Sequence, residues 1–346
     1  MKNGMFILLC ALFMACVDTD KKTKPNEESI ESAVFNDSIF VLDNTFPPGD
    51  ARRYGVTAAN ARKAHPITGK NRLLTALDIA EQSGMEMSFP SGYYDMDLTL
   101  DHRKNLNLRF NNSGFNLIHI TQIKETFPKP ENISLKGKLI VYDRLGITEA
   151  LGIEIDSVII KSDPTKNIRK MRSRGCHIYH GCKDIKIGYL EIEDFGSGDK
   201  TYQYNHAALA LDGWNNNPEN VQIKKIHIKS TDRHGIYITG KDHLIGDVVI
   251  DKFGMGSSVD MAPMQDAQIG EEKDFKALWV NKCYNSFIEN IIINEKDSKG
   301  KYTAHFDYGD ALRPFTIGKF KVINNNPEIE ILEEDVNGVV IEINED

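Results

Sequence analysis

The sequence predicts an all-β fold in which short coils stack into a parallel β-helix. Between residues 175 and 323 one pattern occurs in five copies: an anchor residue is followed by apolar residues three, six and eight positions later. The anchors are Asp184, Asn220, Asp242, Asn285 and, in a weaker copy, Pro314. A second short apolar run precedes most copies. Because one such unit cannot bury its own apolar edge, this self-similarity is typical of a solenoid, whose coils stack at the strand spacing.

Length and charge limit the class of protein. The chain has 346 residues, 40% of them hydrophobic, so it can bury a sizeable core, and a solenoid can run to this length as one domain. The formal net charge is −8, and no long basic run is present. We therefore expect no nucleic-acid partner, because such partners require basic patches. We expect the protein to act as a monomer.

The first 15 residues are expected to be a signal peptide. An apolar run from Met5 to Ala15 follows Met1-Lys-Asn and is too short to span a bilayer. The ending Leu12-Phe-Met-Ala-Cys16 resembles a bacterial lipobox, in which the cysteine becomes the lipidated first residue. The alternative is an ordinary cleaved signal. We expect an exported lipoprotein, held through Cys16 on the periplasmic or surface face of the bacterial outer membrane, with a polar tether over residues 16–50.

Cysteine usage predicts no structural disulfide, although the protein is expected to be exported. Cys182 and Cys283 occupy similar turns, but three coil steps separate them. That separation is about 14 Å at the strand spacing, which is too far for a disulfide. Cys176 and Cys182 flank one short strand.

The β-helix domain is expected over residues 51–346 and begins with a capping helix. Asn71 can cap this helix, and Gly84 can stop it. Its apolar face comprises Leu73, Leu74, Leu77 and Ala80. We interpret the helix as a cover on the core, because the open end of a solenoid exposes unpaired backbone.

Loops interrupt the coils at several places. Residues 85–161 carry strand-like runs at irregular spacing, which predicts longer loops in the early coils. Residues 161–175 are locally basic and form either a solvated loop or an attraction site for an anionic polymer. The longest insertion, residues 254–275, is acidic, and loops of this length on a regular scaffold often carry function.

Two stretches resemble the right-handed parallel β-helix of the pectate-lyase-like superfamily. Asp232-Arg-His-Gly-Ile-Tyr-Ile-Thr-Gly240 is similar to one of its coil starts. The segments from Tyr54 to Val56, from Leu73 to Ala80 and from Ser88 to Tyr93 resemble its opening, a short capping helix followed by the first coil. The resemblance covers roughly residues 51–343 and implies a right-handed, single-stranded β-helix with an N-terminal cap. That superfamily includes lyases, hydrolases, epimerases and non-catalytic proteins, so the fold alone does not define an activity.

Alternate residues of a strand point to opposite faces, so the apolar pairs of each coil predict which side chains face outward. We place His177, Ala208, Gly235, Ala277 and His305 in one outward row. The next row holds Tyr179, Ala210, Tyr237, Trp279 and Asp307, and a third row includes Asp212 and Asn281. Small residues forming a floor, aromatic faces and a polar rim together predict a sugar cleft. The alternative is that Tyr237 and Trp279 only pack beneath loops.

Candidate catalytic groups cluster at the starts of neighbouring coils. A histidine side chain changes its charge near neutral pH and so suits proton transfer, and His206 is followed by His234 one coil later. Arg233 could neutralise a uronate carboxylate with two hydrogen bonds. Asp212 and Asp232 could act as acid and base in hydrolysis, or help to hold a calcium ion. A lone histidine is more often structural, and Asp232 could equally cap a turn.

The resemblance also limits the chemistry. Polygalacturonases share the superfamily fold and place paired Asp residues one coil before a His-Gly motif. His234-Gly235 matches that motif, but Asn205-His206 stands where the pair would be, so their mechanism is not expected here. The resemblance then implies cleavage of an acidic or otherwise decorated polysaccharide.

Two functional classes remain open. The first is a carbohydrate-active enzyme, either a β-eliminating polysaccharide lyase with His206 or Arg233 as base, or a glycoside hydrolase that uses Asp212 with Asp232. The second is a non-catalytic surface protein that binds glycan through Tyr237 and Trp279. A His and Arg cluster with few paired acids favours the lyase.

Overall fold

The computed structural model describes residues 35–163, 165–166, 173–193, 207–255, 275–330, 333–334 and 338–345. Their strands form one parallel sheet wound into a β-helix, which confirms the predicted fold class. The described residues belong to one compact unit, Phe35–Asp346. Cys16 and His206 lie outside the described residues, as do the expected signal peptide, part of the basic stretch and most of the acidic loop.

Two sets of strands alternate along the chain. The front ladder consists of β3 Leu98–Asp101, β5 Ile118–Thr121, β7 Arg144–Thr148, β9 Gly175–Ile178, β11 Ala207–Leu211, β13 His234–Lys241, β15 Lys276–Tyr284, β17 Tyr302–Asp307 and β19 Glu333–Glu334. The back ladder consists of β1 Met87–Phe89, β2 Gly92–Tyr94, β4 Lys104–Phe115, β6 Glu131–Val141, β8 Leu151–Ile160, β10 Lys183–Ile192, β12 Glu219–Ile228, β14 Leu244–Ile250, β16 Ser286–Asn294, β18 Phe315–Ile323 and β20 Val339–Glu345. Within each ladder, neighbouring strands pair in parallel. One front strand and one back strand therefore make a coil.

The capping helix α1 spans Arg72–Ser83 and confirms the prediction. The Asn71 side chain accepts a hydrogen bond from the Leu74 backbone N–H at 2.7 Å, and Gly84 ends the helix in the left-handed conformation. Leu73 and Leu77 are buried where the helix contacts β1 and β4. The helix therefore covers the N-terminal end of the core. Across the described residues, no helix has the length and apolar character needed to cross a bilayer.

Residues 35–50, which the sequence places in the tether, contact the body in the structure. The Asp37 carboxylate accepts hydrogen bonds from Arg53 Nε at 2.8 Å and from the Tyr54 hydroxyl at 2.7 Å. Phe35 and Phe40 pack against the core cluster. This short segment therefore forms part of the N-terminal cap. The cap also includes the 3-10 turns Ser38–Phe40 and Ala51–Tyr54.

The repeat anchors form the turns between front and back strands. Asp184, Asn220, Asp242 and Asn285 all have a left-handed backbone, with φ between 47° and 60°. Asn and Asp tolerate this conformation better than other residues with side chains. The Asn220 side-chain amide donates to Asp184 Oδ1 at 2.6 Å, so anchors of successive coils are also joined by side-chain hydrogen bonds.

The anchors begin earlier than the sequence repeat indicated. Asn105 and Asn132 also have left-handed backbones, and the Asn132 amide donates to Asn105 Oδ1 at 3.2 Å. The irregular loops of the early coils hide this pattern in the sequence. The left-handed anchor turn therefore begins at the first full back strand, β4; Gly152 takes the anchor position before β8, and the weaker anchor Pro314 lacks the left-handed backbone.

The apolar positions of the repeat align into continuous buried stacks. The residues three positions after the anchors, Ile187, Ile223, Ile245, Ile288 and Ile317, pair from coil to coil and are all buried. Burial of one such side chain stabilises a fold by roughly 1.5–3 kcal/mol. Because each isoleucine contacts the coils on both sides, the core is one connected column.

A second corner, within the back strands, alternates glycine with larger residues. Gly188, Gly246 and Gly318 occupy it in every second coil, and Lys224 and Glu289 occupy it in the coils between. A Cβ on Gly246 would lie 2.3 Å from the Lys224 carbonyl oxygen, and one on Gly188 would lie 2.5 Å from that of Asp156. Glycine is therefore required where the backbone of the preceding coil approaches most closely.

We expect Gly246→Ala to lower the free energy of unfolding by about 1–3 kcal/mol, because the added methyl group overlaps backbone that cannot move independently. The clash should outweigh the gain of about 0.4–1 kcal/mol that alanine brings by restricting the unfolded chain. Urea unfolding of the purified chain measures the difference. Glu289→Ala, at the same corner of the next coil, is the matched control and should change stability by less than about 0.5 kcal/mol. Equal midpoints for the two variants would contradict this account of the corner.

Candidate functional site

One row of outward side chains runs along the whole front ladder. Strand pairing places its members directly opposite one another in successive coils: Thr99, His119, Gly146, His177, Ala210, Tyr237, Trp279 and His305. We call this the central row. Each step along it is one coil, about 4.8 Å. The front ladder therefore presents a strip of rings and small residues parallel to the solenoid axis.

The central row corrects two sequence-based placements. His177 pairs with Ala210, and His305 pairs with Trp279, so both histidines belong to the Tyr237 row and not to the row of Ala208 and Gly235. In the last of these coils the inward pair is Ala304 and Phe306, whereas Tyr308 is exposed. Alternation correctly predicted which residues face outward. The pairing of these residues between neighbouring coils, however, differs by two residues from the predicted pairing, because the preceding loops differ in length.

The remaining predicted side chains, Tyr179, Asp212, Asn281 and Asp307, lie in a parallel row with Thr239, where the front strands end. Asn281 pairs with Asp307, and the Asp212 and Tyr179 N–H groups donate to carbonyls of the preceding coil at 3.1 and 2.8 Å. We call this the downstream row. The sequence placed the predicted binding residues in two rows, and in the structure they also lie in adjacent rows. Tyr179 and Asp307, however, belong to the downstream row and not to the Tyr237 row.

Three rings of the central row form a continuous surface, the ring platform. The ring centroids of Tyr237 and Trp279 are 4.7 Å apart, and those of Trp279 and His305 are 5.8 Å apart with nearly parallel planes. All three side chains are partly exposed. The sequence prediction that Tyr237 and Trp279 face outward is thus confirmed, and His305 extends the platform by one coil.

Polar groups surround the Tyr237 end of the platform. The Asn281 side-chain amide donates to the Tyr237 hydroxyl at 3.3 Å. Burial, together with the carboxylates of Asp212 and Asp307, raises the pKa of the Tyr237 hydroxyl well above its usual range. The hydroxyl therefore stays protonated beside the rings.

A buried lysine lies beneath the other side of the platform. Lys276 is 2% exposed, and its Nζ lies 5.0 Å from the Trp279 ring centroid and 5.4 Å from that of Tyr302. A cation over aromatic rings is attracted by their negative faces. Lys276 was not among the sequence candidates, because alternation alone directs it inward with Leu278. Its position at the first residue of β15 lets the side chain turn toward the platform.

The predicted catalytic residues Arg233 and His234 lie at the upstream edge, where the front strands begin. They are 2% and 1% exposed. His234 Nδ1 accepts a hydrogen bond from the Lys276 backbone N–H at 2.9 Å, so the neutral ring carries its proton on Nε2. Its ring also packs edge-on against Trp279 at 5.1 Å. His234 therefore supports the platform from below and is arranged as a hydrogen-bond donor.

Asp232 and Arg233 belong to a tight turn that leads into β13. The Thr231 hydroxyl oxygen accepts from the Arg233 backbone N–H at 3.1 Å, and the Arg233 carbonyl accepts from the Gly254 N–H at 2.9 Å. Asp232 is buried beside them. Asp232, Arg233 and His234 therefore stand together at one edge of the ladder, whereas their predicted clustering with His206 stays a prediction because His206 lies outside the described residues.

Asp212 and Asp232 are not brought together. Leu211 pairs with Ile238, so Asp212 lies level with Thr239 at the end of β13, whereas Asp232 precedes its start. At least five strand residues, about 16 Å, separate them. Acid and base carboxyls in glycoside hydrolysis lie about 5–9.5 Å apart. This geometry does not support the predicted pairing of Asp212 with Asp232, because the two stand at opposite edges of the front ladder.

His119 lies in the N-terminal half of the central row, and Arg144 and Arg174 lie where the neighbouring front strands begin; neither His119 nor Arg144 was a sequence candidate. Burial lowers the pKa of His119 to about 4, and the guanidinium groups of Arg144 and Arg174 add to the shift. Arg174 Nε donates to the fully buried Asp143 carboxylate at 2.6 Å, and a second guanidinium nitrogen contacts the other oxygen. The irregular spacing of the early coils concealed this alignment in the sequence.

Metal-ligating side chains and thiols are the remaining candidate groups. Among the residues that the structure describes, no three His, Cys, Asp or Glu side chains are grouped as a metal site, so calcium stays a prediction. Cys176, Cys182 and Cys283 are free and buried. Burial raises the pKa of Cys182 and Cys283 to about 12, so these thiols stay protonated and act as core residues.

We expect His119 to titrate near pH 4 in the folded protein, about 2.5 units below its ordinary value of 6.5. Because the unfolded chain takes up this proton first, the stability contributed by neutral His119 is present above pH 6.5 and is lost as the pH falls toward 4. Histidine-detected NMR titration checks the value. Arg144→Leu should raise the pKa of His119, because it removes a nearby cation. Arg109→Leu, on the back ladder, is the control and should leave this pKa unchanged. Titration of His119 near 6.5 in the wild-type chain would contradict the burial and charge described here.

The chain was compared with protein-family models, with curated proteins and with solved structures, and none of these comparisons found a match. The resemblance to the pectate-lyase-like superfamily therefore remains a prediction.

Proposed function

We propose that the chain is an exported carbohydrate-active enzyme that binds an acidic or decorated polysaccharide along its front ladder and cleaves it by β-elimination. The observation that carries this proposal is the ring platform of Tyr237, Trp279 and His305, with the Lys276 cation directly beneath it. Flat rings beside a fixed cation suit a ligand that combines an apolar ring face with negative charge.

The platform matches the shape of a sugar chain. Sugars stack their C–H faces on aromatic rings, while their hydroxyls take hydrogen bonds at the margin. The platform rings are spaced at 4.7 and 5.8 Å. Tyr237, Asn281 and Asp307 supply donors and acceptors along one side. A chain lying parallel to the solenoid axis would contact one ring in each successive coil.

Charges at the upstream edge favour elimination over hydrolysis. A lyase must neutralise a uronate carboxylate while a base removes the adjacent proton. Lys276 and Arg233 place two cations at this edge, and buried cations exert their field with little screening. His206 is the candidate base, although it lies outside the described residues. His234 is better suited to donate a hydrogen bond, because its Nδ1 is already occupied.

A non-catalytic glycan-binding protein is the second candidate. The observation that favours it is the enclosure of Asp232, Arg233 and His234, whereas the ring platform is at the surface. A site whose only accessible groups are rings and hydrogen-bonding side chains can bind a sugar without transforming it. The separation of Asp212 from Asp232 leaves the hydrolase alternative with the least support.

The purified mature protein, incubated with polygalacturonate, alginate, hyaluronan and chondroitin sulfate, with and without calcium, tests the proposal. We expect the near-ultraviolet absorbance of an unsaturated uronate to rise with at least one polymer, and this rise to vanish in His206→Ala and Arg233→Ala. New reducing ends without that absorbance would favour hydrolysis. Binding without either signal would establish the glycan-binding protein and overturn the enzyme.

Substitution of the platform separates binding from folding. Trp279→Ala should weaken binding of the responsive polymer about tenfold or more, because stacking on an aromatic ring contributes beyond its buried area. Isothermal titration measures the affinity. Tyr189→Ala removes a partly buried tyrosine from the back ladder and is the matched control. Equal affinity in both variants would exclude the ring platform as the binding surface.

Export and anchoring form a separate part of the proposal. The apolar N-terminal run and Cys16 support a lipid anchor at the outer membrane. Cells producing the full chain and fed a labelled fatty acid should incorporate the label into the protein, and Cys16→Ala should abolish incorporation. Equal labelling of both proteins would refute the anchor at Cys16.

A further inference from the structure

Two large aromatic side chains stand in solvent beyond the ring platform. Trp214 is 66% exposed and Tyr308 is 64% exposed. We call them the rim aromatics. Each follows a carboxylate of the downstream row: Trp214 comes two residues after Asp212, and Tyr308 comes directly after Asp307. Large exposed rings contribute little to folding, because their apolar surface stays in water.

Both rim aromatics also have a backbone conformation that disfavours their side chains. The φ angle is 59° at Trp214 and 54° at Tyr308. This left-handed region suits Gly, Asn and Asp, whereas a bulky residue there is strained. The residue preferences of left-handed turns therefore do not explain why an aromatic residue stands at either position. A strained, exposed tryptophan indicates that its ring serves a purpose other than stability.

Local contacts hold each ring in place. Asp212 Oδ1 accepts a hydrogen bond from the Trp214 backbone N–H at 3.3 Å. Gly213 is packed so closely that an added Cβ would lie 2.4 Å from the Asn216 carbonyl oxygen and 2.8 Å from His180 Cα. Lys282 Nζ lies 5.3 Å from the Tyr308 ring centroid. The two rings are thus presented from ordered turns, which lowers the entropy cost of binding.

The spacing of the rim aromatics matches a polymer that follows the solenoid axis. Their strands, β11 and β17, are separated by three coil steps, through β13 and β15. Three steps are about 14 Å along the axis. Between the rings lie Asp212, Thr239, Asn281 and Asp307 of the downstream row. The rim therefore combines two stacking faces with hydrogen-bonding groups between them.

The charge of this rim differs from that of the upstream edge. Asp212 and Asp307 are carboxylates, and their charges already raise the pKa of Tyr237. The two carboxylates disfavour a uronate beside them and leave sugar hydroxyls as suitable partners there, while Lys282 places one cation at the Tyr308 end of the rim. Lys276 and Arg233, by contrast, stand at the upstream edge.

We propose that the rim aromatics, with Asp212, Asn281 and Asp307, form a second sugar-binding strip that takes the uncharged sugar units of the polysaccharide. The proposal rests on the proposed function, because it assigns charged units to the ring platform and uncharged units to the rim. A polymer that alternates uronate with neutral sugars contacts both strips, whereas a homopolymer of uronate contacts the ring platform alone.

The sequence contains two tryptophans, one in each strip, which allows the strips to be observed separately. In Trp279→Phe, fluorescence reports only on Trp214; in Trp214→Phe, it reports only on Trp279. Acrylamide quenching is measured for each variant with hyaluronan and unsulfated chondroitin, which alternate uronate with neutral sugars, and with polygalacturonate. Anionic phospholipid vesicles test the other common partner of exposed tryptophans.

We expect hyaluronan or unsulfated chondroitin to reduce the quenching constant of Trp214 at least about twofold, and polygalacturonate to leave it unchanged. Protection of Trp279 without protection of Trp214 by any polymer would overturn the rim proposal and leave the proposed function standing. Protection of neither residue by any polymer would contradict both. Protection of Trp214 by vesicles alone would assign the rim to a membrane surface and overturn its role in glycan binding.

Trp214→Asn separates a binding role from a structural one. Asn is suited to the left-handed backbone, so the variant should unfold at the same or a higher denaturant concentration than the wild-type chain. Its affinity for the protecting polymer should fall about fivefold or more, whereas Trp214→Phe should retain most of it. Loss of stability in parallel with affinity, or unchanged affinity in the asparagine variant, would overturn the proposal.

Discussion

Stacking of every coil in register with the coil before it is the constraint on which the rest of this structure depends. The backbone hydrogen bonds of parallel strands supply the direction, and the left-handed anchors Asp184, Asn220, Asp242 and Asn285 return the chain to the same place after each front strand. Glycine at alternate back corners lets neighbouring backbones approach. A shift of one residue would move the isoleucine column to the surface, so the buried core and the turns specify the same register.

Stacking of the coils in register also brings the residues of the candidate site together. A row such as Tyr237, Trp279 and His305 needs no local motif, because each coil contributes one side chain and pairing brings them together. Position along a front strand then determines chemical character. Arg233 and Lys276 lie where these strands begin, rings lie in the middle, and Asp212 and Asp307 lie where they end. From the starts of the strands to their ends, the front ladder therefore carries buried cations, flat rings and carboxylates in that order.

Sequence reasoning identified the fold and the outward direction of most site residues for a physical reason. Alternation in a strand has a period of two, so Tyr237, Trp279 and Asn281 were correctly expected on one face. Register between coils was harder, because it depends on loop lengths and on which carbonyl each N–H meets. His177 and His305 were therefore placed in the wrong row. Lys276 was not predicted as a site residue, because a side chain at the start of a strand need not follow the alternation of inward and outward positions.

The distance along the front strands, from their starts to their ends, limits which side chains can act together in a reaction. A proton transfer requires groups within hydrogen-bond reach, and about 16 Å separates Asp212 from Asp232. Chemistry on this surface must therefore take place at one edge. The downstream row offers carboxylates beside exposed rings, which suits recognition of neutral sugars. The upstream edge holds the buried Arg233, His234 and Lys276 next to the platform, so positive charge lies close to the stacked rings on that side. Because elimination needs that charge and hydrolysis by paired carboxylates does not, the arrangement of charge across the strands favours a lyase.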